Sequence, residues 1–138
     1  MHSNGEPIIA LFFGTLILGA SGIARADTIP ACSVPEGMKS VAIPDGVPEG
    51  LRSKLGTIAA PGGQFDATDI VMTGISRRYI FAWHRGNRWI VAIEQGGRGY
   101  NNPIMAYDLS EDGQASLVRR KISAPSLVCA DAEAMSKD

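Results

Sequence analysis

The chain reads as a mostly β, or α+β, fold: an antiparallel meander of four to six strands with one or two short helices, closed as a small sandwich or a partly open barrel. Three observations predict it. Residues 78–94 form an aromatic hairpin pattern about a short polar loop. Two further apolar runs, Ile104–Leu109 and Ala115–Ile122, are separated by the turn signal Ser110-Glu111-Asp112-Gly113. The stretch ahead of them, residues 27–50, is rich in Pro and Gly and reads as an extended lead-in rather than a packed element.

The N-terminus comes first. Residues 1–26 read as a signal peptide, because an apolar run from Ile8 to Ala20 ends in Ala24-Arg25-Ala26. The small side chains of Ala24 and Ala26 fit the A-x-A pattern of signal peptidase, which leaves Asp27 as the new terminus. The run is short for a spanning helix, which needs roughly 20 apolar residues. The first seven residues contain no Lys or Arg and carry Glu6, which departs from the usual basic start. On this reading residues 27–138 form one small exported domain, periplasmic or secreted, with no stable membrane anchor after cleavage.

Within that domain a short strand is expected at Ser40–Ile43. A helical turn runs through Glu49–Leu55, with Asp45 as its cap and Gly56 at its C-terminal end. Ala59–Gln64 is a loop by composition, and Thr68–Thr73 is a candidate strand. The hairpin that follows has two possible registers. A two-residue Gly86-Asn87 turn pairs Trp83 with Ile90 and scatters the large side chains over both faces. A three-residue loop pairs His84 with Arg88, and sets Tyr79, Phe81, Trp83, Trp89, Val91 and Ile93 on one face. The clean segregation favours the second register, which also sets Arg78 opposite Glu94 and asks Asn87 to take a left-handed position. Pro125 ends the fourth strand, and Ala130–Met135 suits a short C-terminal helix.

Charge and cysteine content narrow the function. The 138-residue chain carries a net charge of −1, so no global field draws it to nucleic acid or anionic membrane. The charge is uneven, since residues 76–102 hold Arg77, Arg78, Arg85, Arg88 and Arg98 against Glu94 alone. The two cysteines, Cys32 and Cys129, can pair in an oxidising compartment and tie the start of the domain to its end.

The catalytic signals are weak. His84 is the one histidine of the domain, and it reads as a solvated strand-end residue rather than a placed base. A zinc site needs three or four converging ligands, which oxidised cysteines do not supply. Gly96-Gly97-Arg98-Gly99 lacks the Lys-Ser/Thr of a phosphate loop. Asp66, Asp69, Glu94 and Asp108 are available acids, but their spacing singles out no pair. No catalytic residue, cofactor or metal is assigned.

What remains is an arginine cluster. Arg78, Arg85, Arg88 and Arg98, with Tyr100 and Asn101 close by in sequence, form the candidate ligand-binding set, because guanidinium forks suit carboxylate and phosphate. The expected function is a non-catalytic binding or inhibitor-like module for an acidic protein or an anionic glycan. In size, compartment and class the design is similar to the periplasmic lysozyme inhibitors, although none of their motifs is present. An envelope hydrolase and a structural or interaction subunit are the alternatives.

Overall fold

A computed structural model describes residues 29–138, so the signal segment with Ala24 and Ala26 lies outside the described residues. Five strands run in one open antiparallel sheet in the order β1 (Lys39–Val41), β2 (Arg77–Arg85), β3 (Arg88–Gln95), β4 (Asn102–Leu109) and β5 (Ala115–Ser123). Two helices complete it: α1 (Glu49–Leu55) and α2 (Val128–Ser136). The mostly β meander read from the sequence is therefore what the chain forms. Pro103 sits in β4 as its second residue, where a missing N–H costs the ladder least.

Both faces of the central strands β2, β3 and β4 are buried, each under one helix. Leu51 and Leu55 of α1, with Val47, pack on Tyr79, Trp89, Val91, Ile93, Met105 and Tyr107. Val128, Ala132 and Met135 of α2 pack on Phe81, Trp83, Ile90, Ala92, Ile104 and Ala106. Each fully buried Leu or Ile contributes about 1.5–3 kcal/mol relative to leaving it exposed. A short helix with only a few apolar residues can therefore hold a sheet face. Gly56 ends α1 with φ 69°, as expected, but the N-terminal end is Pro48; Asp45 lies instead in a separate 3-10 turn, Pro44–Gly46.

The hairpin register differs from the one favoured above. Arg85 pairs with Arg88, His84 with Trp89 and Trp83 with Ile90, so a two-residue Gly86-Asn87 turn closes the strands. Gly86 takes the left-handed conformation at φ 57°, and Asn87 does not. The large side chains are accordingly divided between the two faces, and each face has a helix to receive them. The clean segregation of aromatics was misleading because it presumed a sheet with one wet face. A bulge then intervenes: Tyr79 pairs with Ile93 but Phe81 with Ala92, leaving Ile80 as the extra residue. Beyond the bulge the pairing shifts by one, and Arg78 does stand opposite Glu94.

Thr68–Thr73 is not a strand. It belongs to a long irregular loop between α1 and β2. The sheet edges also differ. The outer edge of β2 is covered by β1 and by Ala59, whose N–H donates to the Arg77 carbonyl and whose carbonyl accepts from Tyr79 N–H, both at 2.9 Å. The outer edge of β5 carries Arg119, Arg120 and Lys121 and a bulge at Val118, devices that discourage further strand pairing. Cys32 and Cys129 form a disulfide that joins the segment before β1 to α2.

Candidate functional site

A recess of about 730 Å³ opens on the α2 side of the sheet at the far end of the hairpin from its turn. Its walls include Ile29, Phe65, Ile80, Tyr100 and Pro125, and the Arg78–Glu94 pair forms its polar part. The cross-strand register places these two charges opposite each other, and their side chains meet through two N–H bonds. Nη2 of Arg78 donates to Oε1 of Glu94 at 3.0 Å, and Nε donates to Oε2. Nη1 of Arg78 reaches the Gly63 carbonyl at 3.1 Å, and the guanidinium lies over the Phe65 ring at 4.4 Å. The Tyr100 hydroxyl donates to Oε1 of Glu94 at 2.5 Å and accepts from Nδ2 of the fully buried Asn102 at 3.4 Å. Burial, and then the Glu94 carboxylate, hold the Tyr100 phenol above its ordinary value of 10.

The remaining wall is supplied by the loop between α1 and β2, and one side chain organises it. Oδ1 of Asp66 accepts from the amides of Met72 (3.0 Å) and Thr73 (2.8 Å) and from the Thr73 hydroxyl (3.0 Å). Oδ2 accepts from the Gly74 amide at 2.8 Å. These bonds, led by the Thr73 amide, pull the Asp66 carboxyl below its ordinary 3.8 although burial opposes them. The loop is thereby pinned while its tip stands in solvent: Ile70, Val71 and Met72 are 68%, 78% and 85% exposed. Beside it runs the Gly-rich loop. The Gly96 amide donates to the Ser76 carbonyl at 2.7 Å, and a Cβ at Gly96 would lie 1.9 Å from the Asp66 carbonyl oxygen.

The arginines expected to form one cluster are divided between the two ends of the hairpin. Arg78 and Arg85 are seven residues apart along β2, about 23 Å. Arg85 and Arg88 meet near a smaller recess of about 280 Å³. Arg85 donates to the carbonyls of Glu36 (2.6 Å) and Gly37 (3.4 Å). Arg88 forms a two-bond pair with Asp108, at 2.5 and 3.3 Å, and this bond holds the Asp108 carboxyl below its ordinary range. Arg98 is exposed, and no ion pair holds it among the described residues. Asn101 closes the Gly-rich loop, with its backbone paired to Gln95 and its amide on the Gly99 carbonyl at 2.8 Å. Of the six expected residues, then, Arg78 and Tyr100 share a site, Arg98 lies two residues from Tyr100, Asn101 closes the Gly-rich loop, and Arg85 and Arg88 serve the turn.

Sequence reasoning missed Phe65, and it read Asp66 as no more than a turn or cap acceptor, which it is, without the extent of its reach. Phe65 carries no pattern, and the bonds of Asp66 reach six to eight residues ahead, beyond the reach of a local turn signal. Glu94 is engaged by Arg78 and Tyr100, Asp66 by loop amides and Asp108 by Arg88. The His84 ring stacks on Trp89 at 4.3 Å between centroids. Compared with protein-family models, characterised proteins and solved structures, the chain matches none.

Proposed function

We propose that the chain is a non-catalytic binding module of an oxidising, extracytoplasmic compartment. Its ligand site is the recess in front of the Arg78–Glu94 pair. The observation that carries this reading is the combination of an apolar-walled recess of about 730 Å³ with a charged pair whose bonds are made internally. Recesses of roughly 300–1,000 Å³ with mostly apolar walls and a few fixed polar groups are the usual form of a binding site. The Cys32–Cys129 disulfide supports the compartment.

The partner is an acidic protein or an anionic glycan that presents an apolar group beside its charge. The apolar group enters against Phe65 and Ile80, and the exposed Arg98, next to Tyr100, meets the anion. The test is affinity capture from a periplasmic extract with wild type, Phe65→Ala and Arg98→Glu. Each substitution is expected to remove the same captured partner while the circular dichroism stays that of wild type. Capture indifferent to both substitutions would remove the recess as the site.

A further inference from the structure

Three adjacent large apolar side chains in solvent call for an occupant, since contiguous exposed apolar surface on a small protein marks a contact. The tip does not owe its exposure to slack. The Asp66 carboxylate fixes the backbone of Met72, Thr73 and Gly74, and Thr68 Oγ1 accepts from the Ile70 amide at 3.2 Å. An ordered apolar projection costs little conformational entropy on binding.

Charge decides between the occupants. Between Ala59 and Ser76 the loop holds Asp66 and Asp69 and no base. An anionic bilayer surface attracts Lys and Arg and repels such a loop. The complement is present on the chain itself. The same loop that carries the tip supplies a wall of the recess through Phe65, Ala67 and Thr68, so projection and recess are neighbours on one surface. A two-fold axis beside them seats each tip in the other copy's recess, as a self-complementary patch must. The acid beside the tip, Asp69, then has a cation to meet in Arg98, exposed two residues from the recess wall Tyr100. We propose that two copies pair in this way, with Ile70, Val71 and Met72 of each filling the Phe65–Arg78–Tyr100 recess of the other. The proposal rests on the recess being the binding site and adds its regulation: the dimer holds the site closed, and a ligand competes with the second copy.

Analytical ultracentrifugation of the oxidised protein, purified from cells expressing the full chain, tests the pairing up to about 1 mM, the weak end of specific association. A monomer–dimer equilibrium is expected. Met72→Asp should weaken it at least about tenfold, because each junction loses a buried apolar side chain and gains a charge. Met72 is 85% exposed in the single copy, so this variant should keep the wild-type melting temperature. A photo-reactive residue at position 72 should give inter-chain cross-links to residues 61–68 or 78–80. A monomer at every concentration, a dimer indifferent to Met72→Asp, cross-links elsewhere, or association instead with phosphatidylglycerol vesicles would each overturn the pairing. The two readings fail separately. A monomer that loses its captured partner on Phe65→Ala keeps the recess and discards the dimer. A Met72-dependent dimer whose captured partners ignore Phe65→Ala does the reverse.

Discussion

At the scale of single residues the molecule uses its charges locally. Asp66 shows this most simply, since one carboxylate replaces the strand ladder that its loop lacks. Asp66→Ala should leave the sheet intact and release the loop. Amide exchange at Met72, Thr73 and Gly74 is expected to rise to open-loop rates while the Val91 and Ala92 amides stay protected. The pH dependence has the same origin. The folded-state value is depressed below 3.8, so the contribution is complete above that value and is lost as pH falls through the lower folded one. Loop resonances should therefore stay fixed from neutral pH to about 4 and move only below it.

Arg78 is a second case. Its removal leaves the Glu94 side chain, only 10% exposed, with Tyr100 as its remaining partner. Breaking a buried pair costs roughly 3–5 kcal/mol, and the 29% exposure of Arg78 reduces this to about 2–3 kcal/mol for Arg78→Ala. Chemical denaturation measures it. Arg78→Lys should recover little, because a single ammonium cannot make the fork contact or lie over Phe65 in the same way.

At the scale of elements the fold depends on close backbone approaches as much as on strands. Gly96 lets the Gly-rich loop lie against the chain at Asp66, and a methyl group there meets a carbonyl oxygen at 1.9 Å. Gly96→Ala should thus cost about 1–3 kcal/mol, the range for overpacking. It should also loosen the Met72–Gly74 amides, a signature that separates it from a general loss of stability. The sequence disclosed elements more readily than their relations. The two-strand pattern at 78–94, the Gly56 end of α1, the Ser110–Gly113 turn and the C-terminal helix are written in local residue types, and all are present. The register near Gly86 was not legible, because the extra Ile80 puts Tyr79 and Phe81 on opposite faces although they alternate regularly in sequence. Thr68–Thr73 resembled a strand because Ile70, Val71 and Met72 are apolar, yet the amides of Ile70 and Met72 donate to side-chain oxygens of Thr68 and Asp66 and the three side chains face water. In the site, Arg78–Glu94 was readable as a cross-strand charge pair. The division of the arginines between the two hairpin ends was not, since their crowding in sequence says nothing of a strand about 23 Å long between them.

At the scale of the whole molecule a single sheet is held between two short helices, and neither helix is long enough to be stable alone. The disulfide reinforces the side that carries the recess. It spans 97 residues and fastens the segment that carries Ile29 to α2, so Ile29 and Pro125, both recess walls, lie close in sequence to its two ends. Two effects must be separated. Constraint of the unfolded chain by a loop near 100 residues is worth up to about 4.7 kcal/mol. Val128, Ala132 and Met135 also pack directly on the sheet. The double substitution Cys32→Ser with Cys129→Ser should therefore fold, with α2 still docked and an unchanged far-ultraviolet spectrum. It should lose about 2–4 kcal/mol, which lowers the melting temperature by about 10–20 °C for a domain of this size. Calorimetry of oxidised and substituted protein measures the loss. A melting temperature within a degree or two of wild type would mean that the lead-in segment is held by its own contacts, and that the bond adds nothing to the recess beside it. Loss of all cooperative melting would mean that packing of α2 alone does not close that face of the sheet.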